Sequence, residues 1–303
     1  MDLLSALGVM ARVVETGSFS AVARERELSQ AAIARQISQL EEHFGLRLFH
    51  RTTRKLSLTD DGEMLLGLAR PVLDNVEGME AALGRQSSSA IGLVRIGVTV
   101  AGARFFSPRF SALLTDHPGL KVELIVSDRF GDMTEDRLDL AVRRGEITDA
   151  SLVVRTAGIS HNVAVAAASY IEQHGAPSVP AELAAHSCIV HDTGPDSDLW
   201  MFSTPEGTQH VHVTGGFIAN NSGVVQLAAR SGQGIAFLPV VEVFDDLRAG
   251  NLVRVLSGFA SPDLQVSLVY PSRRHLAPRT RLVMDFMLQQ FREIRILLAS
   301  ASD

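Results

Sequence analysis

Cysteine is nearly missing from this sequence. Cys188 stands alone among 303 residues, so no intrachain disulfide can form, and a reducing, cytoplasmic setting is expected. Long apolar runs are missing as well: none reaches the roughly 20 residues that a membrane-spanning helix needs. The opening MDLLSALGVMARVVE has no basic stretch ahead of an apolar core and no cleavage site. Asp2 and Glu15 mark it as an amphipathic helix rather than an export signal. Catalytic and cofactor signatures are equally scarce. There is no GxSxG elbow and no CxxC pair, and the GQG at 232–234 follows a helix instead of opening one. His210 with His212, and His186 with Cys188, sit two apart on strand-like stretches, but metal ligation needs three or four convergent ligands. They read as strand polar positions and a buried thiol. No enzyme activity, cofactor or metal is expected. No internal repeat or low-complexity tract is present. An overall charge of −6 excludes a protein that coats nucleic acid along its whole surface.

Enough remains for two or three domains with sizeable cores, since the chain is 46% hydrophobic and 20% charged. Charge is uneven. Residues 24–59 carry seven Arg and Lys against four Glu, a net +3, while residues 60–90 carry a net −4. A small basic island in an acidic chain can meet phosphates locally.

Periodicity organises the first 90 residues. Leu3, Leu7, Met10 and Val14 mark one helical face. Gly17 ends that helix, and Ser18 caps a second, FSAVARERE, with Phe19, Val22 and Ala23 on its apolar side. Leu28 is placed inward between helices. Ser29 caps a third helix whose core face is Ile33, Ile37, Leu40 and Phe44, and Gly45 stops it. Three short helices joined by tight turns form a helix-turn-helix unit. Leu46, Leu48 and Phe49 follow as inward anchors, and RTTRKLSLT, rich in β-favouring residues, reads as a two-stranded wing. A long helix over about 60–86, capped by Thr59 or Asp60, has a stripe of Leu65, Leu68, Val72, Val76, Met79 and Leu83 that asks for a partner helix. Pro71 within it should kink or loosen it, and GRQSSSA at 84–90 is a flexible linker.

From residue 91 strands alternate with helices. IGLVRIGVTV, KVELIVSD, HNVAVAAA, CIVHD, HVHVTG and LQVSLVYPS read as strands. GARFFSPRFSALLTDHP and residues 278–299 read as helical, NNSGVVQLAARSGQGIAFLP as a helix, a Gly turn and a buried strand, and MTEDRLDLAVRRG as a short helix running into a strand. The pattern implies doubly wound parallel sheets in two α/β lobes.

A helix-turn-helix unit lays the N-terminal part of its third helix in the major groove. Here that face carries Gln30, Ala31, Ala34, Arg35 and Ser38, beside the capping Ser29. Arg35 suits guanine and Gln30 adenine, while Ala31 and Ala34 can only touch a thymine methyl. Arg51, Thr52, Thr53, Arg54 and Lys55 suit phosphates or the minor groove. On spacing alone a solvated, mildly basic three-helix domain stays open, as does an enzyme or binding protein whose α/β lobes act without DNA.

The stretch GSFSAVARERELSQAAIARQISQLEEHFGLRLFHRTTRKLSLTDDGE resembles the winged DNA-binding domain of the LysR-type transcriptional regulators, nearly unbroken from Gly17 to Gly62. VRIG at 94–97, SDRFGDMTEDRLDLAVRRGE and AARSGQGIAFLP extend the resemblance along the whole chain. It implies an α+β multidomain protein: a winged helix-turn-helix domain at 1–59, a dimerising linker helix and hinge at 60–90, and an effector-binding domain at 91–303. The last would be two lobes similar to periplasmic binding proteins, lobe I about 91–160 plus 267–303 and lobe II about 161–266. It further implies a homotetramer on promoter DNA that answers a small effector, anionic or aromatic, and contact with RNA polymerase. This sequence departs from the family at Ala32 and Ala34, where serines are usual, which alters the expected base contacts.

In lobes of this kind ligands lie at strand C-termini and helix N-termini. Thr99, Val100, Ala101 and Gly102 occupy one such place, and Asn220, Asn221 and Ser222 another, where free N–H groups suit a carboxylate; ordinary caps and turns are the alternative. The resemblance adds Arg143 and the neighbourhood of Phe237 and Pro239. Trp200, Phe202 and Phe237 could hold an aromatic effector, or be core.

Overall fold

The chain begins with a helix whose start and stop are set by the residues beside it. In this computed structural model, which describes residues 1–50, 56–82, 90–129, 133, 136–205, 207–271 and 276–300, Asp2 accepts a hydrogen bond from Ser5 N and opens α1, Leu3–Thr16. Gly17, at φ 66°, closes it. Its buried face is Ala6, Leu7, Val9, Met10 and Val13; Leu3 stays exposed and Val14 half-buried, so the face is rotated from the one expected. Ser18 Oγ accepts from Ala21 N to start α2, Phe19–Glu25. Ser29 Oγ does the same for Ala32 N at α3, Gln30–Phe44. Each such cap contributes about 1 kcal/mol.

Ile33, Ile37 and Leu40 of α3 are buried, each adding roughly 1.5–3 kcal/mol of apolar burial. Phe44, read as the fourth core position, is 40% exposed. Its ring rests edge-on against His43 instead. Leu28 is also exposed: the turn after α2 takes Glu27 to φ 54°, and Leu28 N bonds back to Ala23 O, leaving the side chain outside. After α3, Gly45 adopts φ 67° and Leu46 N bonds to Glu41 O, a Schellman-type close that a left-handed glycine permits. Glu41 Oε1 then accepts from Leu48 N at 2.8 Å, aiming the chain into the next segment. Leu48 and Phe49 are buried and Leu46 half-buried, as inward anchors should be.

The base of the expected wing is an antiparallel bridge between Phe49 and Leu58, with His50 N bonded to Ser57 O and Thr59 N to Leu48 O. Residues 51–55 lie outside the described residues. Thr59 Oγ1 accepts from Gly62 N and opens α4, Asp60–Ala82, with Asp60, Asp61 and Glu63 in its first turn where the helix dipole favours anions. Gly62 is required there, because a Cβ would run into Leu48 O. Helix α4 continues through Pro71. The expected stripe divides. Leu65, with Leu66 and Ala69, packs on the helix-turn-helix core, whereas Leu68, Val72 and Met79 are exposed and Val76 is half-buried. Leu83 and the linker at 84–89 lie outside the described residues.

The chain divides into two compact units, the first holding Met1–Val94, His117–Val122 and Ser272–Val283, the second the remainder. Beyond α4 come β1 (Gly92–Val98), α5 (Val100–Phe106), α6 (Phe110–Asp116), β2 (Leu120–Val126), β3 (Leu140–Arg144) and β4 (Leu152–Ser160). Then follow β5 (Asn162–Ala166), α7 (Ala168–His174), a 3-10 turn (Pro180–Ala185), β6 (Cys188–His191), β7 (Leu199–Thr204), β8 (Gly207–His212) and β9 (Phe217–Ala219). The chain ends with α8 (Ser222–Arg230), β10 (Ile235–Pro239), α9 (Val240–Ala249), β11 (Val253–Val255), β12 (Leu264–Pro271) and α10 (Pro278–Ser300).

Two five-stranded sheets result, ordered β2-β1-β3-β12-β4 and β11-β5-β10-β6-β9, with β7 and β8 as a separate hairpin. They are the cores of two lobes, I and II. The sheets are mixed rather than wholly parallel. In the first, β1 and β3 are parallel but β12 is antiparallel to β3 and β4. In the second, β6 is parallel to β10 and β9 but β5 is antiparallel to β10 and β11. The reason is connectivity: β4 passes to β5 through His161 alone, and β12 returns from the other sheet, so both enter with reversed direction. Strand alternation splits the second sheet cleanly. Val163, Val165, Ala236 and Leu238 face one cluster, and Ala164, Ala166, Ile235 and Phe237 the other. The helix expected before β3 is replaced, where described, by a turn at 136–137 with Arg137 at φ 53°.

Candidate functional site

Two places gather chemistry. The first is the outer face of α3. Gln30, Ala31, Ala34, Arg35 and Ser38 are on its outer side, while Ile33, Ile37 and Leu40 are buried beneath them. A single continuous surface follows from the 3.6-residue period. Ser29 is committed to its cap, and Gln30 Oε1 accepts from the Ser20 hydroxyl at 3.0 Å, which orients the amide from α2. Arg51, Thr52, Thr53, Arg54 and Lys55 lie outside the described residues.

The second is a cavity of about 440 Å³ where the two lobes meet, within the second unit. Of the expected effector residues, Thr99, Ala101, Arg143, Ser222, Phe237 and Pro239 line it. Gly102 instead borders a neighbouring, mostly apolar cavity of about 300 Å³ with Phe105, Ile159 and Phe291. Val100, Asn220 and Asn221 do not line the main cavity. Thr99 Oγ1 caps α5 through Gly102 N, and Asn221 Oδ1 caps α8 through Val224 N.

The first N–H group of each of these helices, foreseen as free, is already taken. Asp128, just past β2 in lobe I, accepts from Val100 N at 3.0 Å and from Ser222 N at 2.7 Å, and His191 Nε2 lies 3.2 Å from its Oδ2. Burial alone would raise the Asp128 carboxyl. The His191 contact, the two backbone donors and the Ser222 hydroxyl outweigh it and bring the pKa down to about 2. Ser222 and His191 belong to lobe II, so this carboxylate ties the lobes together. Arg129–Asp192, Arg104–Gln226 and Arg144–Asn162 pairs cross alongside it.

Sequence reasoning missed Asp128, Arg144, Asn162, His191 and Glu242, all of which line the same cavity. Arg144 adjoins Arg143 on β3, and Glu242 follows Pro239 at the start of α9. Arg143 and Arg144 both have their pKa lowered by burial, offset for Arg144 by the charges of Glu242 and Asp128. Glu242 is 3% exposed, and among the described residues neither of its carboxylate oxygens has a hydrogen-bond partner. Burial, helped by repulsion from Asp128, pushes its carboxyl up to about 6 against the pull of Ser222, His191 and Arg104. An apolar wall closes the cavity: Trp200 stacks on Phe237 with centroids 5.2 Å apart. Phe202 packs on Phe237 from the core and does not line the cavity.

The remaining candidates are structural. His212 meets Asp198 on the surface and His186 meets the Tyr170 hydroxyl. Cys188 is fully buried, its thiol pushed up to about 12 by burial, which suppresses thiolate chemistry. Among the described residues no group of three or more His, Cys, Asp or Glu is arranged to hold a metal ion, and no helix is long and apolar enough to cross a membrane.

Comparison with known proteins covers both regions of the chain. Residues 4–63 match the bacterial regulatory helix-turn-helix protein, lysR family, and residues 87–292 match the LysR substrate binding domain. The chain is 30% identical over 296 residues to the HTH-type transcriptional activator AaeR of Escherichia coli, covering 97% of this chain and 96% of that protein. It is 32% identical over 291 residues to the probable HTH-type transcriptional regulator LtrA of Klebsiella pneumoniae, covering 95% and 94%. Among solved structures, full-length AphB, the Vibrio cholerae virulence activator, is 29% identical with a TM-score of 0.60 over 94% of this chain and 98% of that one. CrgA of Neisseria meningitidis, a LysR-type transcriptional regulator, is 26% identical with a TM-score of 0.62 over 95% and 98%. Proteins of this family are transcriptional regulators, not enzymes; they bind promoter DNA and small effectors, and they oligomerise. With its helix-turn-helix DNA-binding domain and its two-lobed effector-binding domain, this chain belongs to the LysR-type transcriptional regulators.

Proposed function

We propose that this regulator reads its operator through Gln30 and Arg35, with methyl contacts from Ala31 and Ala34, a polar contact from Ser38, and the capping Ser29 at the helix entry. The observation that carries the reading is the outer face of α3, on which these residues share one stripe. Arg51, Thr52, Thr53, Arg54 and Lys55 would grip phosphates or the minor groove, as their sequence suggests. Hydrogen-bonding readout is therefore thin, and the rest of the specificity comes from DNA shape and from the spacing of paired domains. Residues 1–59 act as the DNA-binding domain, 60–90 as the dimerising linker, and 91–303 as the effector domain of two lobes, about 91–160 plus 267–303 and about 161–266.

The exposed Leu68, Val72 and Met79 on α4 pair two chains, and two such dimers form a tetramer that bends the promoter in the cytoplasm and meets RNA polymerase. A small effector in the interlobe cavity changes the bend only through its different affinity for the two lobe arrangements. Thr99, Val100, Ala101, Gly102, Arg143, Asn220, Asn221, Ser222, Phe237 and Pro239 were the effector contacts expected from the sequence. The cavity favours Thr99, Ala101, Arg143, Ser222, Phe237 and Pro239 among them. A gel shift on the DNA flanking its own gene tests the reading. A discrete complex that survives competitor DNA, and that Arg35→Ala weakens at one base position, is the expected result. No complex at low salt overturns it.

A further inference from the structure

The cavity holds two opposite charges that do not meet. Arg144 and Glu242 both line it and Arg144 feels the charge of Glu242, yet among the described residues no salt bridge or hydrogen bond joins them. Arg144 Nη2 donates to Asn162 Oδ1 at 2.8 Å, but its buried Nε has no acceptor. Neither Glu242 oxygen is in hydrogen-bonding geometry with a donor, although the Ser222 hydroxyl is near enough to pull its pKa down. Each buried, unmatched group of this kind costs about 1–3 kcal/mol and more when charged, so such a pair is retained for something that fits between. That occupant must bring an acceptor to the guanidinium and a donor to the carboxylate.

The acceptor end is an acid. The neighbouring anion position at the start of α8 is filled by Asp128 itself, so a ligand carboxylate falls to the β3 arginines that line the cavity, and of these Arg144 is the one that feels the charge of Glu242. The donor end is a hydroxyl rather than an ammonium. Bringing a second ion into this buried pocket carries a desolvation penalty of several kcal/mol, whereas a hydroxyl is far cheaper to strip of water. Resting on the reading of this cavity as the effector site, we propose that it takes a small hydroxy acid, carboxylate on Arg144 and hydroxyl on Glu242, its carbon body against Trp200 and Phe237.

Matched triads test this with the full-length protein by calorimetry: lactate, propionate and alanine, and mandelate, phenylacetate and phenylglycine. The hydroxy acid of at least one triad should bind at least tenfold tighter than its partner without the hydroxyl and than its amino counterpart. Glu242→Leu should erase that preference, and Arg144→Met should weaken the acids of a triad alike. Glu242→Gln keeps shape and one acceptor, and should keep part of the preference if Glu242→Leu fails to fold. Equal binding within the triads, tighter binding of the amino acid, a preference that survives loss of the carboxylate, or no binding by any hydroxy acid overturns the proposal. The mobility of the complex with its own operator separates the two readings. Tight hydroxy-acid binding that leaves the DNA complex unchanged sinks the effector role and keeps the ligand class. A specific DNA complex without any hydroxy-acid binding sinks the ligand class and keeps the regulator.

Discussion

The outer face of α3 and the interlobe cavity are built by opposite means. On α3 the residues that meet a partner are neighbours in sequence, turned outward, and set on a helix whose own core lies beneath them. In the cavity they come from segments as distant as Thr99, Asp128, Arg144, His191 and Glu242; Glu242 is buried and the others are half-buried. A surface reader can therefore lose a side chain without losing stability. In the cavity each charge answers to others, so a substitution there moves stability, down where it removes a partner and up where it removes an unpaired charge. Substitutions should separate the two regions along that line.

The largest effect falls on Asp128. Asp128→Ala leaves Val100 N and Ser222 N without their acceptor, and chemical denaturation should show a loss of about 3 kcal/mol. The pH dependence has a definite sign. Because the folded pKa is depressed to about 2 from 3.8, the stabilisation is fully present above about pH 4. It is lost as pH falls towards 2, by about 2 kcal/mol. Acid titration of the midpoint should show this drop in the wild type and a flatter curve in the variant.

Glu242→Gln should act in the other direction. With its folded pKa raised to about 6 from 4.5, the wild type loses stability as pH rises through that window, of order 2 kcal/mol once the group is ionised. The amide removes that charge, so the variant's midpoint should exceed the wild type's at pH 8 and match it near pH 4. A wild-type advantage at pH 8 would mean that the carboxylate has a partner.

On α3 the contrast predicts Arg35→Ala to cost about 1–3 kcal/mol in operator binding while leaving the stability within about half a kcal/mol of wild type. Footprinting with single-base operator variants checks both the loss and its position. The smallest effect is Gly45→Ala. At φ 67° an alanine is strained by about 1 kcal/mol, and because Leu46 and Leu48 follow, DNA affinity should fall with stability. Unchanged affinity would separate the exit of α3 from the geometry of the wing.

The helix-turn-helix region was legible in the sequence because every device in it is local. Ser18, Ser29, Gly17 and Gly45 cap and stop helices in the way their chemistry dictates. The errors came where a residue at the right spacing met no neighbour. Leu28 follows a left-handed Glu27, and Phe44 is exposed with its ring against His43. Strands in the effector region were recognisable by composition, but their direction was not: β12 and β5 run antiparallel because the chain crosses between lobes, and no local pattern records that. At the cleft, caps at Thr99 and Asn221 could be read as ligand positions, but that Asp128 from another segment would occupy the same N–H groups could not.

By itself, then, the sequence determined three capped helices, a reading face on α3, the alternation of strands and helices, and the family to which these belong. Periodicity, capping and motif spacing are properties of neighbouring residues. Only the tertiary structure decided that the lobes are joined through Asp128, His191 and Ser222, and that Arg144 and Glu242 face one cavity without touching. Burial and charge pairing depend on which distant segments share a volume, and that is settled when the sheets close on each other.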